Sequence, residues 1–214
     1  MVDYDKFYLI KDCLSNKPFR GKIVNYELAS AEIARGENRI NEIPKILHAM
    51  GGSKLYDIIW TTNAFPLIVS EFIINLLNDN SISGWKTYDV EIFNKEHEKI
   101  DEKYFGLIIT GRCGTQDFSK SKIIEDKIGV KLVATLKGFY FQNDFWDGSD
   151  LFMCNADLNE KTTMHRFCSE KVMKLFAKEK VMNIDFLKTD EYKIPLFAVK
   201  TKLTEQQEKD LSEM

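Results

Sequence analysis

The segment Pro66-Leu-Ile-Val-Ser-Glu-Phe-Ile-Ile-Asn-Leu-Leu77 carries the pattern from which the fold of this chain can be inferred. Its apolar positions 73, 76 and 77 have the spacing of one helix face. Ser70 precedes them, and serine is a preferred N-cap because its hydroxyl accepts a hydrogen bond from an orphan backbone N–H. Glu71 lies in the first turn, where a carboxylate suits the positive end of the helix dipole. The pattern predicts a helix that begins at Glu71.

Both flanks of this helix have the composition of strands. Asp57-Ile-Ile-Trp-Thr61 precedes the helix, and Ile82-Ser-Gly-Trp-Lys-Thr-Tyr-Asp-Val90 follows it. These runs are rich in β-branched and aromatic residues, which are typical of strands. Gly84 tolerates the left-handed conformation that redirects a chain after a helix. Residues 57–90 are therefore predicted to form a strand–helix–strand unit.

A second unit of the same kind is predicted later in the chain. Its parts are Asp150–Cys154, His165–Phe176 and Val181–Leu187. Ser169 and Glu170 repeat the N-cap pattern, and Asn183 stands where the first unit has Gly84. Only a serine, a glutamate and a leucine are identical across the aligned helix stretch. The prediction is therefore a shared architecture and does not extend to common ancestry.

The rest of the chain adds further short elements. Strands are predicted at 6–11, 22–26, 104–110, 130–141 with a bend at Gly138, and 193–202. One or two short helices are predicted within 27–50, and a turn is predicted at Gly111-Arg-Cys-Gly114. The tail has a capping box, Thr204-Glu-Gln-Gln207, but it has few apolar residues. We expect residues 204–214 to form a frayed helix.

The chain is predicted to be one α+β protein. No proline-rich or serine-rich linker divides it, which favours a single globular protein, residues 1–214, over two independent domains. Its two sub-units are placed at approximately 1–103 and 104–203. The expected architecture is two similar strand–helix–strand units packed around a mixed, largely antiparallel sheet.

Composition and charge limit the classes of function. The net charge is −3, and lysines alternate with acidic residues almost everywhere, which argues against nucleic-acid binding. No apolar run approaches the roughly 18 residues that span a bilayer, and the first residues lack the features of a secretory signal. Cys13, Cys113, Cys154 and Cys168 lie far apart, as expected for reduced thiols. We expect a cytoplasmic protein without disulfide, metal or cofactor.

The most distinctive local sequence is Asp144-Phe-Trp-Asp-Gly-Ser-Asp150. Its three aspartates could bind Ca²⁺ or Mg²⁺, or hold an acid/base pair. The alternative is a tight Asp-Gly turn that leads into the following strand, with Trp146 packed on the core. The spacing does not match an EF-hand loop, and this favours the turn.

Two groups of residues raise the question of thiol chemistry. His165 and Cys168 lie close in sequence, but in a strand they point to opposite faces, which opposes a base–nucleophile pair. Cys113 in Thr-Gly-Arg-Cys-Gly could be an exposed thiol whose pKa is lowered by Arg112. The sequence identifies no base for it, so no catalytic residue is predicted.

An aromatic surface patch is the remaining candidate site. Tryptophan and other aromatic residues are enriched at the centres of interfaces, although core packing is the commoner fate of each one. The residues predicted to bind a partner are Trp85, Phe145, Trp146, Asp147 and Asp150.

Several of these segments together resemble a family of bacterial immunity proteins from polymorphic toxin systems. They are Leu67–Glu71 with Leu76-Leu77, Ile82–Trp85, Trp146–Phe152, Cys168–Val172 and Asn183–Phe186, within about residues 57–190. The resemblance implies a non-catalytic protein that binds and neutralises a cognate toxin. It supplies no catalytic residues.

Two other readings stay open from the sequence. The chain could be a small-ligand-binding protein or an enzyme that uses the loop 144–150 and Cys113. It could also be a scaffold component, although it contains no repeat array.

Overall fold

The computed structural model describes residues 3–14, 17–25, 42–62, 67–142, 146–154 and 165–214. Within these ranges, the strands of the first half are β1 Phe7–Lys11, β2 Phe19–Ile23, β3 Lys45–Gly51, β4 Ile58–Trp60, β5 Leu67–Ser70, β6 Trp85–Asp89 and β7 Glu91–Phe93. Those of the second half are β8 Tyr104–Ile109, β9 Gly111–Cys113, β10 Lys122–Ile128, β11 Lys131–Lys137, β12 Leu151–Cys154, β13 Arg166–Ser169, β14 Asp185–Lys188 and β15 Lys193–Pro195. The helices are α1 Glu71–Asp79, α2 Glu170–Lys178 and α3 Glu205–Ser212. The α+β class predicted from the sequence is confirmed. None of these helices is long and apolar enough to cross a bilayer.

Helices α1 and α2 begin at the two glutamates, as predicted, but neither serine hydroxyl caps its helix. Ser70 and Ser169 have extended N-cap backbone conformations, and neither side chain accepts a hydrogen bond from its helix. The Ser70 hydroxyl is buried and finds no hydrogen-bond partner among the described residues. The Ser169 hydroxyl donates instead to Asp150 Oδ1 at 2.9 Å. The two serines are equivalent in position and different in their bonding.

Each helix follows directly on a buried strand that the helical prediction had absorbed. Strands β5 and β13 end at the N-cap serines, and the first three residues of each are buried. In β5 they form a short, continuous apolar run, which does not distinguish a buried strand from a helix by periodicity. In β13 they include the charged Arg166. The repeated unit is therefore strand, strand, helix, strand.

The two halves of the chain share one sheet topology. The first sheet has the order β4-β5-β8-β6, and the second has the order β14-β1-β13-β12-β9. Ser70 lies opposite Tyr104, as Ser169 lies opposite Phe7. The register repeats at the other end, where Asp89 lies opposite Phe105 and Lys188 lies opposite Tyr8. The numbering offset from Ser70 to Ser169 is the same as that from Asp89 to Lys188, so the resemblance between the units extends to residue-level register.

The halves exchange their first strands. Strand β1 begins the first half, yet it lies between β13 and β14 of the second half. Strand β8 begins the second half, yet it lies between β5 and β6 of the first half. Each exchanged strand has a partner on both sides, so its backbone N–H and C=O groups are paired in the interior of the other sheet. The exchange ties residues 1–103 to residues 104–203.

Two aspartates make reciprocal hydrogen bonds across the junction. Asp57 accepts the backbone N–H of Met182 at Oδ2 (2.9 Å), and Asp150 accepts that of Ser83 at Oδ2 (3.1 Å). The main-chain carbonyl of each aspartate also accepts the N–H of the N-cap serine in its own half, at 2.9 and 2.8 Å. Each aspartate therefore joins the start of its own helix to the loop after the other helix.

The loop after α1 passes so close to β12 that it requires glycine. A Cβ on Gly84 would lie 2.1 Å from the Leu151 carbonyl oxygen, and its φ is +87°. Asn183, its counterpart after α2, also has a positive φ of 65°. Its side-chain Nδ2 donates to the Ile58 carbonyl at 2.7 Å. The left-handed conformation predicted at both positions is confirmed.

Strand β1 is buried on both faces because it separates two parts of the core. Tyr8 and Ile10 pack with α1, α2 and the strands of both halves. Phe7 and Leu9 face an aromatic cluster made by Phe139, Phe141, Phe152 and Phe167 together with Cys113 and Cys154. A third cluster around Phe19, Ile46, Ile59 and Ile68 lies in the first half.

Several predicted elements differ in the structure. The strand predicted at 22–26 is β2, Phe19–Ile23, and the strand predicted at 130–141 is β11, Lys131–Lys137, with Val130 in the turn before it. Lys45–Gly51 is strand β3 and not part of a helix, because it pairs with both β2 and β7; residues 27–41 lie outside the described part of the chain. Gly111–Cys113 is not a turn but strand β9, which pairs in parallel with β12. The closing strand is shorter than 193–202, since β15 ends at Pro195.

The C-terminal tail has an anchor that a count of apolar residues does not detect. Helix α3 has the predicted capping box, with Thr204 and Gln207 each bonding the other's backbone N–H. The Gln207 side chain is buried, and its Nε2 donates to the carbonyls of Phe118 and Ser121 at 2.8 and 2.7 Å. The tail predicted to fray is docked through a polar residue.

The different bonding of the two N-cap serines leads to a prediction. Ser169→Ala removes a hydrogen bond to a carboxylate and should lower the free energy of unfolding by about 1–2 kcal/mol. Ser70→Ala removes a buried hydroxyl without a described partner and should leave stability unchanged or raise it slightly. Urea unfolding of the wild type and both variants measures the difference. Equal losses of unfolding free energy in the two variants would contradict the different hydrogen bonding of the two serines.

Candidate functional site

The predicted partner-binding residues Trp146 and Asp150 line one cleft at the start of α2. The cleft has a volume of about 460 Å³, and its other lining residues are Asp3, Lys6, Phe7, Ser169, Glu170 and Lys171. Its charges are mixed, and Lys6 pairs with Asp3 at 3.0 Å. Phe145 and Asp144 lie outside the described residues. The cleft is large enough for a small molecule.

Asp147 forms the turn that the sequence predicts. Its Oδ1 accepts the N–H of Ser149 at 2.9 Å, and its Oδ2 accepts that of Arg112 at 2.8 Å. Gly148, between Asp147 and Ser149, has a φ of +82°. Burial alone raises the pKa of Asp147, but the hydrogen bonds from Ser149 and Arg112 outweigh it and hold the pKa below its ordinary value. The Asp147 carboxylate therefore holds β9 beside the turn through its hydrogen bond with the Arg112 N–H.

Asp150 is bound on several sides by the protein itself. Its carboxylate accepts hydrogen bonds from the Ser169 hydroxyl and from the Ser83 N–H. The Ser83 hydroxyl donates a third one to Oδ2, at 3.3 Å. Lys171 Nζ lies 3.5 Å from the same oxygen, and 17% of the aspartate side chain is exposed. This arrangement stabilises the junction between the halves and leaves little of the carboxylate for a ligand.

The tryptophans of the predicted patch pack into the protein. Trp85 is half-buried against the core, and its Nε1 donates to the Ile82 carbonyl at 2.7 Å. Trp146 packs edge-on against Phe7 with ring centroids 5.1 Å apart. Its Nε1 is buried without a hydrogen-bond partner in the described ranges. Trp60 likewise donates to the Asn183 carbonyl at 2.7 Å. Core packing, weighed as the alternative, describes each of them.

Cys113 is not the exposed thiol that its position beside Arg112 suggested. It is fully buried, and its Sγ lies 3.5 Å from that of Cys154 on the neighbouring strand. The hydrogen bond with Cys154 and burial raise the pKa of Cys113, which opposes thiolate formation. The Arg112 guanidinium turns away and donates to the carbonyls of Ile109 and Gly111, at 2.7 and 2.8 Å. All four cysteines are free thiols.

His165, directly before β13, and Cys168 within it point to opposite sides, as predicted. Cys168 belongs to the core cluster that includes residues of α1 and α2, and burial raises its pKa. His165 contacts Phe139 and Tyr192 on the other face, and its Nε2 lies 2.9 Å from the Tyr192 hydroxyl. Burial, with a smaller contribution from the positive charge of Arg166, lowers the pKa of His165 to about 4. The two side chains cannot act as a base–nucleophile pair.

The histidine, cysteine and acidic side chains do not form a metal-binding group in the part of the chain that the structure describes. No three of them lie close enough together there to hold one ion. The loop 144–150 contributes Asp147 and Asp150 to the described ranges, and both carboxylates accept hydrogen bonds from neighbouring backbone N–H groups.

An exposed apolar surface at the β10–β11 hairpin was missed by the sequence reasoning. Val130 is 91% exposed, Leu132 63% and Ile128 47%. The turn Leu196–Ala198 lies against β11 and adds Phe197, which is 78% exposed. We call Ile128, Val130, Leu132 and Phe197 the apolar tip. The signal in the sequence was Gly129, since a glycine between Ile128 and Val130 is typical of a hairpin turn. In the structure Gly129 has a φ of +62° and joins two paired strands.

The reciprocal aspartates should matter for stability. Asp150→Ala and Asp57→Ala each remove acceptors for backbone N–H groups of the other half, and each should lower the free energy of unfolding by about 2–3 kcal/mol. Asp89→Ala, at an exposed position on β6, is the control and should cost less than about 0.5 kcal/mol. Chemical denaturation of the three variants provides the comparison. A loss at Asp89 as large as those at the junction would refute a bracing role.

His165 should make the protein less stable in mild acid. Its folded pKa of about 4 lies below the ordinary value of 6.5, so the unfolded chain binds a proton that the folded chain excludes as the pH falls. This contribution should lower the free energy of unfolding by about 2 kcal/mol between pH 7 and pH 5. His165→Gln should reduce this pH dependence, whereas His97→Gln at an exposed position should leave it intact. Denaturant midpoints at several pH values distinguish the variants.

Comparison with known proteins does not change this picture. No family model matches the sequence, and no curated protein matches it significantly. The resemblance to the immunity family therefore stays an expectation drawn from the segments quoted above. The functional proposal depends on the residues and their geometry.

Proposed function

We propose that this chain is an immunity-like protein that binds and neutralises a bacterial toxin in the cytoplasm of the producing cell, without catalysis. The supporting observation concerns Cys113, His165 and Asp150, which the sequence singled out for chemistry and which the structure shows engaged within the protein. Cys113 is buried against Cys154, His165 is buried beside Tyr192, and Asp150 braces the two halves. At the same time, large apolar side chains are exposed on the β10–β11 hairpin. This combination favours surface recognition.

The alternative of a small-ligand-binding protein or enzyme has one observation in its favour. The cleft beside α2 has a suitable volume and is lined by Trp146 and Asp150. However, the Asp150 carboxylate is already hydrogen-bonded, and Cys113 is buried in the aromatic cluster with Phe7 and Phe152. The geometry therefore supports the binding protein better than an enzyme using these residues.

The proposal predicts protection by binding. The resemblance to immunity proteins implies a toxin domain encoded beside the gene. This domain should be co-expressed with the chain, and the purified pair should be studied by calorimetry. Wild type should restore survival and form a stable complex with the toxin. Cys113→Ser and Asp147→Asn should keep both properties, provided that thermal unfolding shows a folded protein.

Two results would decide against this function. If the wild type neither protects the cell nor binds the toxin, the immunity proposal is wrong. If a folded Cys113→Ser or Asp147→Asn variant binds as tightly as wild type but no longer protects, the protein acts chemically. The enzyme alternative would then replace the proposal.

A further inference from the structure

The apolar tip is an unusual surface for a hairpin. Lys127 pairs with Leu132 and Ile128 pairs with Lys131 across the two strands, so apolar side chains lie on both faces beside the turn. Val130 is in the turn itself and is almost fully exposed. Exposed apolar groups on a strand pair invite aggregation, and their presence therefore indicates a partner.

The charges around the apolar tip indicate the kind of partner. Lys127 and Lys131 are exposed and flank the turn. Within the described residues, neither lysine makes an ion pair, whereas Asp126 is held by Lys193 at 3.2 Å. Residues 127–131 thus carry two positive charges and no negative one, although Glu125 lies further along β10 and the whole chain carries a net charge of −3. A complementary surface would carry carboxylates around an apolar depression.

Resting on the proposed function, we infer that the apolar tip inserts into a concave site of the toxin whose rim is acidic. The exposed end of a two-stranded hairpin can enter a concave surface, and a few buried apolar anchors supply most of the binding energy of such contacts. Lys127 and Lys131 then face the carboxylate rim and speed association. The net charge of −3 alone would suggest a basic partner, whereas the two lysines beside the turn indicate an acidic one.

The same charges bear on two other occupants. A second copy of the chain that docked tip to tip would bring its own Lys127 and Lys131 against those of the first, and like charges oppose such a contact. An anionic bilayer would attract the lysines in the same way as an acidic protein site. The proposed function favours the protein site, and vesicle flotation separates the two.

The test uses variants of exposed side chains, which should leave the fold intact. A Val130→Ser/Leu132→Ser double variant removes apolar surface, and Phe197→Ser provides an independent removal on another turn. Lys127→Glu/Lys131→Glu reverses the flanking charge. The matched controls are Leu14→Asn, at an exposed leucine with a positive φ of 52°, and Lys86→Glu on β6. Thermal unfolding checks each protein.

The probe is the purified toxin domain encoded beside the gene. The serine variants should weaken its Kd at least about tenfold, and the charge reversal should slow association about tenfold at low salt. Both controls should bind like wild type. If wild type binds and every folded tip variant binds equally well, the inference is wrong while the proposed function stands.

Other outcomes also discriminate. Failure of wild type to bind the toxin removes the proposed function and this inference with it. Sedimentation of the chain alone tests self-association, and flotation with phosphatidylglycerol vesicles tests membrane binding. Wild-type dimerisation or vesicle binding that the Val130→Ser/Leu132→Ser variant abolishes would overturn the inference in favour of that occupant.

Discussion

The exchange of β1 and β8 between the halves is the constraint on which the rest of the structure depends. Each strand is paired on both sides within the sheet of the other half. Without β1, strands β13 and β14 would expose unpaired edges, and the aromatic cluster would lose Phe7 and Leu9. Asp57 and Asp150 reinforce the exchange by accepting backbone N–H groups across the junction. Neither half is complete by itself, so the chain is expected to unfold as one cooperative unit.

The two helices could be predicted from the sequence because their signals are local. A serine, a glutamate and apolar residues at helical spacing lie within a few residues of one another. Strand β5 was hidden because a buried run of three apolar residues has no diagnostic period. The buried residues of β13 include Arg166, a charged residue that does not indicate burial. The hydroxyl bonding of Ser169 depends on Asp150, and the position of β1 depends on residues far along the chain. Such long-range pairings have no local signature.

The features of the candidate site likewise divide into those that local rules predict and those that depend on long-range pairing. The turn at Asp147 and the opposed faces of His165 and Cys168 follow from local rules of turns and strands. The burial of Cys113 does not, because it results from pairing of β9 with β12. The apolar tip escaped because Val130 belongs to a β-branched run that is ordinarily buried. Its exposure depends on how the neighbouring elements pack, and such packing has no local signature.

The position of β1 also has a consequence for synthesis of the chain on the ribosome. Residues 7–11 emerge well before their partners Phe167–Ser169 and Asp185–Lys188. At about 5–20 residues per second, this strand waits roughly 10–35 s for its neighbours. During that interval its four apolar residues, Phe7 to Ile10, remain unpaired and open to chaperones or to a neighbouring nascent chain. Strand β1 leaves the ribosome before both strands that it pairs with, and it cannot be closed into the fold until they have followed it.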